Sequence, residues 1–375
     1  MKKGMSNDVY ILGAGASFES GAPLMNNFLD VAEDLLRQEA FGEDAEQIQL
    51  VFDLISELQI VHSKAQLDLN NIESLFGAIE MGIILGRLTS TSTDVAKYKN
   101  ALTTLISKTL IKSMMFPFEM KSGVTNTPTF SSSKTYNFFA ELISKNIPTS
   151  SILTFNYDLG IDLALAFNNI KANYKLDSSD NGFKLLKLHG SINWFTNKNY
   201  QDKIIKFLSI EDANEYVRHD SHKRQHIKGK EYSFDINSYL SMFRANEKQD
   251  LELVIIPPTW NKTEYHGQLA KVWESAAKEL SKAQNIYILG YSLPESDSFF
   301  RYLFALGTIS KNRIRNIVVY NPENTGETED RFRRLLGLAT ANRFQYKPLK
   351  FSEAIDDIAK SKGIKFDSKN GWIAI

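Results

Sequence analysis

Several short segments of this chain carry side chains suited to work on a bound ligand. Thr154-Phe155-Asn156-Tyr157-Asp158 offers an amide that donates and accepts, and a carboxylate with two acceptor oxygens. Alternation after a strand would send Asn156 and Asp158 into one cleft, while either would also serve as a helix N-cap. Leu188-His189-Gly190-Ser191 sets a histidine, a base near neutral pH, beside a glycine that lets a ligand come close. A histidine hydrogen-bonded in place at a strand end is the plainer alternative. In Gly13-Ala14-Gly15-Ala16-Ser17 the glycines would let backbone N–H groups approach a pyrophosphate at a helix N-terminus. The same glycines suit a turn chosen for tight packing, and Phe18 leaves the six-residue dehydrogenase fingerprint incomplete. Gly290-Tyr291-Ser292-Leu293 and Val319-Tyr320-Asn321-Pro322-Glu323 add Gly290 for close backbone contact, Ser292 for a ribose or phosphate, and Asn321 for an adenosine. Ordinary turn chemistry would use the same residues.

Each segment follows a compact apolar run of strand length. These runs are Val9–Leu12, Ser151–Phe155, Leu185–His189, Ile286–Leu289 and Ile317–Tyr320, with a further one at Leu251–Ile256 stopped by Pro257-Pro258. Helical patterns lie between them. Residues 24 to about 40 carry Leu24, Phe28, Val31, Leu35 and Leu36 on one face. Ile48, Val51, Phe52, Ile55 and Leu58 form a second stripe, and Leu75, Phe76, Ile79 and Ile83 a third; a helix is expected over 134–145. Short strands alternating with helices predict an α/β protein with a mostly parallel, Rossmann-like sheet. Two stretches read as insertions, a mainly helical one at 24–150 and a smaller polar one at 198–250. About fifty residues follow Glu323, read as a helix and a strand that finish the domain.

The 375 residues hold 44 Lys and Arg against 44 Asp and Glu, so no global charge draws the chain to nucleic acid or anionic membrane. Hydrophobic residues make up 43%, enough for a sizeable core. There is no cysteine, which excludes disulfides and thiolate zinc sites and fits a cytoplasmic protein. The short polar start lacks the apolar region of a signal peptide, and no run is long enough to span a bilayer.

The order of these motifs, all at strand ends, resembles the sirtuin superfamily over roughly residues 8–325. It looks most similar to the sirtuin-like (Sir2-like) NAD-hydrolysing proteins of bacterial antiphage defence systems. That resemblance implies a single sirtuin-like domain over 1–375 with NAD as substrate. By similarity, Gly13, Ala14, Gly15 and Ser17 lie against the phosphates. Asn156 faces the nicotinamide ribose and the attacking water, Asp158 holds the carboxamide, and His189 meets the ribose hydroxyls as base. Gly290, Ser292 and Asn321 take the phosphate and adenosine side. The implied activity is NAD glycohydrolase, releasing nicotinamide and ADP-ribose and depleting NAD in abortive infection. The alternatives are a non-catalytic NAD or ADP-ribose sensor and a zinc-free deacylase or ADP-ribosyltransferase. The resemblance further implies a homo-oligomer or a separate partner such as a HerA-like ATPase, with no metal bound.

Three departures bear on this expectation. Deacylases carry a four-cysteine zinc ribbon where 198–250 stands here, and a Phe-Gly-Glu segment where Val254-Ile255-Ile256-Pro257-Pro258 stands. The Asp-Phe-Arg near the first glycines is replaced by Gly21-Ala22-Pro23-Leu24-Met25, which leaves open how the nicotinamide pocket is closed. His219, His222 and His226 share a helical spacing, but Arg218, Lys223, Arg224, Lys228 and Lys230 around them suit a solvated basic loop, or a local nucleic-acid contact, better than a metal. Asn70-Asn71-Ile72-Glu73 reads as a helix cap, with an active-site contact from Asn71 or Glu73 as the other reading.

Overall fold

The computed structural model describes residues 7–61, 67–88, 94–114, 116, 118–120, 128–145, 149–176, 181–197, 204–210, 212–213, 251–256, 266–295, 297–367 and 371–374. The histidines at 219, 222 and 226 and the prolines at 257 and 258 lie outside them.

Asp8–Leu12 (β1) is buried at every position, as a strand covered on both faces must be. It pairs in parallel with Ser150–Thr154 (β4) on one side and Asn285–Leu289 (β10) on the other. Beyond β4 lie Phe183–Lys187 (β6) and the two-residue Ala172–Asn173 (β5); beyond β10 lie Asn316–Tyr320 (β11) and Phe344–Lys347 (β12). All six pairings are parallel, giving the order β12-β11-β10-β1-β4-β6-β5. Apart from the edge strand β5, this is the strand order of a dinucleotide-binding sheet, with its reversal between β1 and β10. The α/β, Rossmann-like expectation is met.

Four helices follow β1 after a short one, Ala14–Phe18 (α1). They are Phe28–Arg37 (α2), Ala45–Val61 (α3), Ile72–Leu85 (α4) and Ala96–Ser113 (α5). Their apolar stripes meet in a core separate from that of the sheet, built on Ile48, Val51, Leu75, Phe76, Ile79 and Leu105. Asn71 caps α4, accepting from the N–H groups of Glu73 and Ser74 as its sequence suggests. Ile83 departs from its expected stripe. The last turn of α4 emerges from the core, leaving Ile83, Ile84 and Leu85 exposed. Lys134–Ser144 (α6), after the short hairpin Phe118–Met120 (β2) and Pro128–Phe130 (β3), turns Tyr136 and Phe139 into the sheet's own core.

The Leu251–Ile256 run forms a strand, Leu251–Ile255 (β9), in a different sheet. It pairs antiparallel with Gly190–Asn197 (β7), which also pairs with Lys206–Phe207 (β8). A short apolar run fixes burial but not its partner. Ile192 and Phe195 of this small cysteine-free sheet join the helical core. The region after Glu323 holds more than a helix and a strand. Glu327–Leu335 (α10), Leu338–Ala341 (α11), β12, Phe351–Ser361 (α12) and the hairpin Ile364–Asp367 (β13) with Gly371–Ala374 (β14) all follow. Before them, His266–Lys282 (α8) and Ser298–Gly307 (α9) flank β10, and Gly160–Phe167 (α7) follows β4.

Candidate functional site

At the carboxyl ends of the strands, where the order reverses, a cavity of about 630 Å³ opens. That size suits a cofactor or small ligand, and the position is where open α/β sheets bind theirs. Ala14, Gly15, Ser17, Asn156, Asp158, His189, Gly290, Ser292 and Asn321 all line it. Of the residues expected at the site only Gly13 stays off the wall; its carbonyl, underneath, accepts from Asn156 Nδ2 at 2.9 Å.

The glycine turn is explained first by packing. Gly15 donates its N–H to the Gly290 carbonyl at 2.8 Å. Gly290 has φ +63°, and a Cβ there would sit 2.3 Å from the Ala16 nitrogen. The loops after β1 and β10 therefore touch backbone to backbone, and both glycines are needed for that approach. The Gly15 N–H is committed to this contact.

Ser17 is also committed. Its one hydroxyl hydrogen goes to Asp158 Oδ2 at 2.6 Å, so Tyr136, 2.7 Å away, must donate to it. Asn156 Nδ2 donates to the same oxygen at 2.9 Å. Both amide hydrogens of Asn156 are thus used, one on Gly13 and one on Ser17, and what Asn156 has left to offer is its carbonyl oxygen. Asp158 Oδ1 accepts from the N–H of Gly160, the first residue of α7, at 2.8 Å, although the N-cap position itself falls to Leu159. Burial pushes the Asp158 carboxyl above its ordinary pKa, against the opposing pull of Lys187 and of the Ser17 and Gly160 hydrogen bonds.

Beneath this layer lies Lys187, the last residue of β6, with a fully buried side chain. Its ammonium donates to the Asp158 carbonyl at 2.6 Å and to Asp162 Oδ2 at 2.9 Å, while Tyr174 donates to Asp162 Oδ1. Sequence reasoning passed over Lys187. The signal was a lysine inside the otherwise apolar Leu185-Leu186-Lys187-Leu188.

His189 is buried among aromatic rings. Phe155 meets it edge-on at 5.1 Å between centroids, and Tyr157 and Trp273 lie at 6.3 and 6.5 Å. Its Nε2 is 3.9 Å from Oδ2 of Asp297, a residue also passed over. Asp297 caps α9, accepting from the Phe300 N–H, and takes the Tyr291 hydroxyl at 2.7 Å. Its legible signal was an acidic residue just before the apolar Phe299-Phe300 run. Burial, and then the charge of Asp297, push the Tyr291 phenol far up; burial, then Glu73, do the same to Tyr157.

The remaining walls come from outside the sheet. Ala22, Pro23, Leu24 and Met25 line the cavity, as do Glu73 and Phe76 of α4 and Ile106 and Leu110 of α5. The segment 22–25, backed by the helical core, closes this side. At the other end stand Asn321, Arg331 and Lys350. Glu323 also faces the cavity, but its carboxylate accepts from the N–H groups of Thr325, Gly326 and Thr328, which pulls its pKa down to about 2. Among the described residues no group of three or more His, Cys, Asp or Glu is placed to hold a metal, and no helix is long and apolar enough to cross a membrane.

Scanned against family profiles and curated proteins, the sequence finds no match. Solved structures do overlap with it. Sir2 proteins are among them. A Sir2 homologue in complex with NAD is 14% identical, with 94% of this chain and 88% of that one covered at a TM-score of 0.42. A mutant Sir2 homologue with ADP-ribose is 14% identical over 96% and 94% of the two chains, at 0.40. Sir2Tm with a propionylated peptide is 13% identical over 95% and 93%, at 0.38. At these scores the overlap is loose.

Proposed function

We propose that this protein is an NAD glycohydrolase, cleaving NAD to nicotinamide and ADP-ribose. One observation carries the reading. Asn156 and His189, from the ends of the neighbouring strands β4 and β6, line one cavity at the reversal of a dinucleotide-type sheet. Nicotinamide departs with the electron pair of its bond to C1′ and becomes neutral, leaving positive charge on the ribose. A water adds its oxygen to C1′, and its proton passes to His189 and on to solvent. The protein's task is to hold the ribose, stabilise that charge and place the water. The Asn156 carbonyl oxygen is the acceptor available to orient a water or ribose hydroxyl. The carboxylates of Asp158, Glu73 and Asp297 on the cavity wall supply negative potential for the cation. Asp158 is also the group we assign to the nicotinamide carboxamide. Ala14, Gly15, Ser17, Gly290 and Ser292 form the phosphate-side wall, and Asn321 the adenosine side.

The test is nicotinamide release by purified protein beside His189→Ala and Asn156→Ala, over a range of protein concentrations. Loss of release in both folded variants is expected. Wild-type release equal to that of both variants would overturn the reading, and saturable NAD binding without turnover would replace it with a sensor. Acyl-lysine peptide is expected to be untouched. The wider role we infer, an antiphage effector that depletes NAD in the cytoplasm, rests on the motif resemblance. So does control by self-assembly or by a separate protein such as a HerA-like ATPase. Expression in infected cells should lower NAD with wild type and not with His189→Ala.

A further inference from the structure

We propose that Asp297 is the positioning residue of the site, setting the basicity of His189 through its charge. The inference rests on His189 being the base of the reaction above. Three features of the structure support it. Asp297 Oδ2 lies 3.9 Å from His189 Nε2, with the two side chains only 1% and 5% exposed. Water therefore screens their interaction little. The distance is longer than a hydrogen bond, so the carboxylate acts on the imidazole by charge. The carboxylate is also fixed on two sides. The Phe300 N–H at the start of α9 holds Oδ1, and the Tyr291 hydroxyl holds Oδ2. The imidazole cannot readily turn away, because Phe155, Tyr157 and Trp273 surround it.

The other charged or titratable groups around His189 do not substitute for Asp297. Tyr157, after β4, and Tyr291, after β10, are phenols that burial keeps protonated. Glu73 of α4 lines the same cavity, and its charge reaches both phenols. Arg301 of α9 acts on Tyr291 with the opposite sign. Lys187, two residues before His189 on its own strand, gives its ammonium to Asp162 and the Asp158 carbonyl. The Asp297 carboxylate comes within 3.9 Å of the ring, and a negative charge there favours imidazolium, making His189 the stronger base.

Asp297→Asn keeps the N-cap acceptor for the Phe300 N–H while removing the charge, and its amide nitrogen can donate to the Tyr291 hydroxyl oxygen in place of the lost acceptor. The decisive measurement is a histidine NMR titration of the full-length protein, with the His189 signal assigned by its loss in His189→Gln. The His189 midpoint is expected to fall by about 1 to 3 pH units in Asp297→Asn. In Tyr291→Phe, which removes the donor from Oδ2 and leaves the carboxylate less neutralised, it should move the other way. This second variant also serves if Asp297→Asn does not fold. Midpoints unchanged in the folded variants would overturn the proposal. The two readings fail separately. A silent wild type with the shifted midpoint would sink the hydrolase and leave the pairing standing. An active wild type with an unmoved midpoint would sink the pairing alone. With turnover present, the acid limb of kcat/KM in Asp297→Asn should shift to lower pH with the midpoint.

Discussion

The ammonium of Lys187 has exchanged water for one carbonyl and one carboxylate. Replacing it with methionine would leave Asp162 buried without its counter-ion, beside an Asp158 whose carboxyl burial already disfavours in its charged form. Lys187→Met should lower stability by about 3–5 kcal/mol, read from urea unfolding, and adding Asp162→Asn should restore part of it. Asn156→Ala should behave differently. It removes two hydrogen bonds, a cost of about 1–3 kcal/mol, but should cut nicotinamide release by about 100-fold or more. A fold that survives with the activity intact would remove Asn156 from the mechanism. Asn156, Asp158 and His189 were legible because their types do chemistry and their places follow apolar runs. The roles of Lys187, Tyr136 and Asp297 were not: Tyr136 meets Ser17 across 119 residues of chain, the Lys187 side chain is hidden inside the fold, and Asp297 stands beside a histidine from a distant strand end.

Among the elements, the loops after β1 and β10 behave as one joint. Gly363, like Gly290, has a positive φ, +69°, but a Cβ there would meet nothing within 4 Å. Gly363→Ala should therefore cost only the left-handed conformation, about 1–2 kcal/mol. Gly290→Ala should cost about 2–5 kcal/mol, because the methyl also drives into α1. Equal costs in denaturant titrations would show that the joint can open. The start of α10 is held by Glu323, whose folded pKa of about 2 lies below its ordinary 4.5. A depressed acid stabilises the fold above the unfolded value and loses that contribution as pH falls toward the folded one. The melting-temperature gap between wild type and Glu323→Gln should thus be full above about pH 4.5 and close on the way to pH 2. A constant gap would mean that the carboxylate caps nothing. The parallel strands were legible because each is an apolar run closed by turn chemistry. β5, two residues long, and β12, half exposed, carry no such signal, and β9 resembles a sheet strand while belonging elsewhere.

For the molecule as a whole, the cavity joins two cores. Its floor belongs to the sheet, and one wall, with Phe76, Ile106 and Leu110, belongs to the helices. A ligand that fills it should slow hydrogen exchange in residues 72–76 of α4 as well as in 290–293. Protection confined to the sheet side, in Asn156→Ala with NAD, would show that the helical wall takes no part in binding. The same architecture governs when the site can exist. The partner of β1 across the reversal, β10, comes some 277 residues after it, the span that the Asp8–Asn285 hydrogen bond closes. During synthesis at about 5–20 residues per second, β1 must wait on the order of tens of seconds for that neighbour. Until β10 arrives, neither the Gly15–Gly290 contact nor the cleft can form. A nascent chain is therefore obliged to carry β1 through that whole interval without a site, and contacts so far apart in sequence make the final closure slow to form.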